Sequence, residues 1–132
     1  MKRSISFIAS HKLKQHELTN RQHVRDLAKN IQFTGRLKHP IIVDKKSLVV
    51  LDGHHRLAAL QQLHMKQIPV ILVNYFSKQI KVYWRNSSFD NAGIKQRVIK
   101  QALIKRPFPY KTTRHYIKNR LYNSNIPLHL LC

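Results

Sequence analysis

The sequence predicts a single small α+β domain, a mixed sheet with flanking helices. Three observations lead there. A chain of 132 residues fits one domain and is long enough to bury a core of its own. Its apolar spacing switches repeatedly between short strand-like runs and helical periodicity. No apolar stretch approaches the roughly 18–20 residues that would span a membrane.

The elements follow in order. Ser4 to Ala9 alternates well enough for a first strand, and its apolar part is too short for a signal-peptide core. From Thr19 to Thr34, Val24, Leu27, Ala28 and Ile31 recur at helical spacing, with Thr19 or Asn20 as cap and Gly35 as stop. Pro40 opens a compact β unit. Ile41-Ile42-Val43 and Leu48-Val49-Val50-Leu51 flank the turn Asp44 to Ser47, a hairpin signal. Asp52-Gly53 ends the second run, and a short helix with Leu57, Ala58, Leu60 and Leu63 inward follows. Ile68 to Val73 reads as a buried strand and Ile80 to Trp84 as another. Ile94 to Ile104 is helical, with Ile94, Val98, Leu103 and Ile104 apolar. Pro107 and Pro109 require a loop, and a short helix is expected near Tyr116 to Tyr122. The domain is expected to span 1–132, with its core at about 1–85 and a C-terminal helix plus phosphate-binding segment at 92–132.

Charge sets the class of partner. There are 25 Lys and Arg against 5 Asp and Glu, a formal net charge of +20. Such a surface attracts polyanions, so nonspecific nucleic acid and phosphate-bearing small molecules are both candidate partners. The lone cysteine, Cys132, excludes a disulfide framework and a thiolate metal cage, and suggests a cytoplasmic protein. Any chemistry needing a carboxylate must draw on Glu17, Asp26, Asp44, Asp52 or Asp90.

The sharpest motif is Asp52-Gly53-His54-His55-Arg56. A strand ends, a glycine permits a tight turn, and a helix begins with exposed amides and the positive end of its dipole. Phosphates bind at such junctions. Helix capping by Asp52 with solvated histidines is the plainer reading, but it leaves the cluster of donors unexplained. Lys111-Thr112-Thr113-Arg114-His115 joins two hydroxyls to two cations, which also suits phosphate, although alone it is one basic stretch among many. Glu17, the only glutamate, reads by itself as an acid leading a helix. With only Gly35, Gly53 and Gly93, there is neither a Gly-Lys-Ser/Thr phosphate loop nor a dinucleotide fingerprint. Zinc is unsupported, since the adjacent His54 and His55 diverge by about 100° at a helix start.

Taken together, these segments are recognisable. The run from Pro40 through Tyr75 resembles the ParB/sulfiredoxin superfamily. Within it, His16-Glu17, Asp52 to Arg56 and Lys111 to His115, in that order and with Tyr83-Trp84 between, look like the free L-serine kinases. The resemblance covers nearly the whole chain. It implies phosphorylation of the hydroxyl of free L-serine to O-phospho-L-serine, with ADP or ATP as donor and Mg²⁺ as cofactor. Glu17 would then be the base. Asp52 would sit at the reacting centre and face the metal, with phosphate oxygens and water completing its shell. Gly53, His54, His55 and Arg56, together with Lys111, Thr112, Thr113, Arg114 and His115, would hold phosphates. His16 and Trp84 would lie on the substrate side.

Three other readings compete. A ParB-like DNA-binding or regulatory protein without turnover fits the charge, but the chain has little room for a helix-turn-helix domain. A sulfiredoxin-like reductase needs a cysteine where Gly53-His54 stands. A nuclease would use Asp52 and the histidines to hold its metal.

Overall fold

The computed structural model describes residues 4–85, 93–109, 111–117 and 125–132. A four-stranded sheet forms the middle layer. Its strands are β1 (Ile5–Ala9), β3 (Ile41–Asp44), β4 (Val50–Asp52) and β5 (Gln67–Val73), in the order β1-β5-β3-β4. The central pair β3–β5 is parallel, and β1 and β4 run antiparallel on its two edges.

Both faces of this sheet are covered, which explains the unbroken apolar runs of β3 and β5. Ile41 and Val43 point to one side, where α1 (Arg21–Thr34) brings Val24, Ala28 and Ile31 and α2 (His54–Gln62) brings Leu57 and Leu60. Ile42 and Ile71 point to the other side. There they meet α3 (Ile94–Leu103) through Val98, and the ribbon of β6 (Ile80–Trp84) with β7 (Thr113–Ile117) through Val82 and Ile117. A small ribbon of β2 (Arg36–Leu37) and β8 (Ile126–Pro127) ties the C-terminal segment beside α1. The arrangement is the mixed α+β domain expected.

Local chemistry sets the element ends. Asn20 caps α1, its side chain accepting from the His23 amide at 3.0 Å, and Gly35 ends the helix at φ 69°. The β3–β4 turn wraps around buried Asp44, whose Oδ2 accepts from the Ser47 amide and hydroxyl. That wrapping puts Leu48 at φ 61°, so β4 starts at Val50 rather than at Leu48 as expected.

Two further expectations need correction. Thr113–Ile117 is a strand, not the start of a helix near Tyr116; the later part of that expected helix lies outside the described residues. In α3 the buried stripe is Ile94, Val98 and Ala102, while Leu103 and Ile104 are exposed. Positions four apart keep one helical face inward, and residues 103 and 104 fall off it.

Candidate active site

The chain crosses from β3 to its parallel neighbour β5 through β4 and α2, so the Asp52 motif lies at the strand-to-helix junction of that crossover. Gly53 occupies it at φ 104°, where a Cβ would come within 3.0 Å of both Ile41 Cγ1 and Arg56 Nη2. Only glycine fits without displacing one of them.

A cavity of about 720 Å³ opens over this junction. The three separated motifs meet in its lining: Glu17, the run Asp52 to Arg56, and Lys111 with Thr113, Arg114 and His115. Backbone bonds bring the first and third together. The Leu18 amide donates to the Phe108 carbonyl, and the Phe108 amide to the His16 carbonyl, both at 2.7 Å. This parallel bridge sets Glu17 beside the loop that leads into β7. Oε1 of Glu17 then accepts from both the amide and the hydroxyl of Thr113, each at 2.7 Å.

The remaining expected residues take varied positions. His16 is fully buried, so it has no surface with which to meet a substrate and stands instead behind Glu17. Its Nδ1 donates to the Val50 carbonyl at 2.7 Å, its amide donates to His54 Nε2, and its Nε2 lies 3.2 Å from the Thr113 hydroxyl. His54 lines the cavity but spends Nε2 on that amide. Burial first, then the neighbouring histidines, hold its pKa well below 6.5. His55 accepts from the Asn20 amide and stacks on His23 at 4.2 Å, with its pKa lowered by burial and by His23. His115 pairs with the Tyr75 hydroxyl at 2.9 Å, and burial keeps it well below the usual range too. The histidines of the motifs are therefore neutral groups rather than cations.

The positive charge comes from elsewhere. Lys111 and Arg114 are exposed at the rim. Arg56 donates to the Pro40 carbonyl and stands 3.6 Å from Asp52. Thr112 turns its hydroxyl to the Pro109 carbonyl, and the Thr113 hydroxyl is committed to Glu17, so neither is aimed at a phosphate. Trp84 lies outside this cavity, edge-on to Phe108 at 5.5 Å with Arg97 over its ring.

Sequence reasoning missed two contributors. Arg85 lines the cavity and is anchored through Nε to the Thr113 carbonyl; its place directly after Tyr83-Trp84 was the only signal. His23 was invisible because it joins the site through α1. Among the described residues no three acids, histidines or cysteines cluster as a metal cage.

Fold and site now define a class. Residues 3–87 match the ParB N-terminal domain, and the chain belongs to that family. Among named proteins it is similar to the ADP-dependent L-serine kinase of Thermococcus kodakarensis, 30% identical over 103 residues, which is 74% of this chain and 43% of that protein. It is likewise similar to the ATP-dependent L-serine kinase of Staphylothermus marinus, 36% identical over 75 residues, 54% of this chain and 30% of that one. The chain spans less than half the length of these relatives. Its fold matches a free serine kinase solved in complex with AMP, with a TM-score of 0.85 at 16% identity, covering 100% of this chain and 95% of that one.

Proposed function

We propose that this protein transfers a phosphoryl group from ADP or ATP to the hydroxyl of free L-serine, giving O-phospho-L-serine. The observation that carries the reading is the meeting of Glu17 with the Asp52–Gly53 junction and the cations Lys111 and Arg114 around one cavity. The similarity to L-serine kinases supports it.

In this reading phosphates lie at the N-terminus of α2, where amides point outward and Gly53 allows close approach. Lys111, Arg114 and Arg85 face the phosphate oxygens that gain charge in the transition state. Thr113 holds Oε1 of Glu17, so Oε2 takes the proton of the serine hydroxyl as its oxygen attacks phosphorus and the nucleotide leaves. Thr112 and Thr113 support the loop instead of holding phosphate. The neutral His54, His55 and His115 wall the cavity and add ring N–H donors.

The residues fit Mg²⁺ in the way that ion is usually bound, by one or two carboxylates with substrate phosphates and water. Asp52, partly exposed at the cavity, is the carboxylate that would hold it. When bound, the ion neutralises phosphate charge.

The test is direct. Purified protein is incubated with L-serine, Mg²⁺ and each nucleotide in turn, and the products are resolved by mass. O-phospho-L-serine with one donor is the expected result. Its absence with every donor, alongside intact nucleotide binding, would favour a regulatory nucleotide-binding role.

A further inference from the structure

The β6–β7 ribbon turns two unlike faces outward and inward. Register pairs Ile80 with Ile117, Val82 with His115 and Trp84 with Thr113, and these residues pack toward the core and the site. The alternate pairs, Lys81 with Tyr116 and Tyr83 with Arg114, point the other way. Tyr83 is 45% exposed and Tyr116 63% exposed. Arg85 extends the row at one end, and a groove of about 740 Å³ runs across it.

This outer face is a checkerboard of cations and tyrosines. Each tyrosine sits opposite a cation, and the two tyrosines occupy diagonal positions, which in an antiparallel pair lie about 7–8 Å apart, within reach of long side chains. No acidic residue lines the groove among the described residues. A solvated strand face needs neither ring. Lysine or threonine would serve there, and exposed aromatics beside cations are what a base with a phosphate on each side requires.

We propose that this face binds single-stranded nucleic acid, with Tyr83 and Tyr116 stacking on successive bases and Lys81, Arg85 and Arg114 tracking the phosphates. The net charge of +20 draws a polyanion to the molecule, and the ribbon gives it a place to stack. A duplex keeps its bases inside its own stack and cannot use the rings, so charge alone would hold it. The face adjoins the cavity and shares Arg85, Arg114 and Tyr116 with it, so a single strand and a nucleotide would compete for the two arginines, while Lys81 and Tyr83 belong to the outer face alone.

Fluorescence anisotropy with labelled oligothymidine and oligouridine of about 12 nucleotides, and with a duplex of equal length, tests this. Single strands should bind more tightly than the duplex at equal salt. Tyr83→Ala and Tyr116→Ala should each weaken single-strand binding roughly five- to a hundredfold, while Tyr→Phe at either position preserves it. Lys81→Ala should flatten the slope of log affinity against log salt by about 0.7. Both tyrosines are exposed and stand outside the packed clusters, so their truncation leaves the core intact. Tighter duplex binding, indifference to both Tyr→Ala changes, or binding confined to anionic lipid vesicles would overturn the proposal.

Discussion

Glu17 and Thr113 lie 96 residues apart in the chain and share two bonds of 2.7 Å. The Thr113 hydroxyl has one proton to give. It goes to Oε1 of Glu17 at 2.7 Å rather than to His16 Nε2, a second acceptor 3.2 Å away, since Nδ1 of that ring carries the proton given to the Val50 carbonyl. Thr113 is thus a positioning residue, acting through Glu17. Replacing Thr113 by Val keeps the shape and removes that donor, a charge-assisted bond worth about 1.5–3 kcal/mol. Phosphoserine formation should fall about ten- to a hundredfold in kcat with KM for both substrates nearly unchanged, and Thr113→Ser should restore it. A Ser variant as slow as Val would mean that the methyl group, not the hydroxyl, matters. Glu17→Gln should lose more, about a hundred- to ten-thousandfold in kcat, with nucleotide affinity retained in a binding titration. Full turnover in that variant would take Glu17 out of the mechanism. Gly53→Ala should cost about 1–3 kcal/mol from its left-handed backbone alone. The added methyl also crowds Arg56 and Ile41, so a lowered Tm and weaker nucleotide binding should appear together; weakened binding at unchanged stability would mean the backbone there is not strained.

At the scale of elements, what was legible was local. The Asn20 cap, the Gly35 stop and the Gly53 junction each depend on one or two residues, and all three stand where the sequence put them. β7 was hidden because its inward positions, Thr113, His115 and Ile117, are mostly polar, so the usual apolar alternation is missing. They are polar because they face the site. β2 and β8 are two residues each and pair across most of the chain, which no local pattern reveals. The convergence of the Asp52 and Lys111 segments was legible from two phosphate-suited stretches in one small domain, and that of Glu17 from resemblance, whereas the bond from Glu17 to Thr113 follows from the Phe108 bridge. The same packing creates a chain of rings from Tyr75 through His115 and His16 to His54, with pKa values of all three histidines held below 6.5 chiefly by burial. The unfolded chain therefore binds protons that the folded one refuses. Stability should be fully present above about pH 6.5 and should decline as pH falls below it toward the depressed folded values. Denaturant midpoints between about pH 7.5 and pH 5 measure this. His54→Gln should flatten the decline, and a level wild-type profile would mean that the rings are charged in the folded state.

At the scale of the whole molecule, charge is organised rather than merely abundant. Of the five acids, Asp44 is consumed inside the β3–β4 turn and Asp52 and Glu17 face the cavity, so little negative charge screens the surface cations. A nucleoside di- or triphosphate approaching such a molecule is attracted from well beyond contact, over a range that salt shortens to about 10 Å at 0.1 M and about 3 Å at 1 M. Free serine is a zwitterion without net charge and feels little of this field. The two substrates should therefore separate in a salt series. Raising ionic strength from about 0.05 to 0.5 M should increase KM for the nucleotide several-fold, leave KM for serine nearly level, and change kcat little, because groups inside the cavity are screened less than those outside. Lys111→Ala and Arg114→Ala should each reduce the steepness of the nucleotide response, since both cations stand at the rim where screening acts. Removing a distant cation such as Lys29, exposed on α1, should leave that slope nearly intact if the rim dominates. Parallel rises in both KM values would instead point to a salt effect on the fold, and equal slopes for the Lys29, Lys111 and Arg114 variants would assign the attraction to total charge alone.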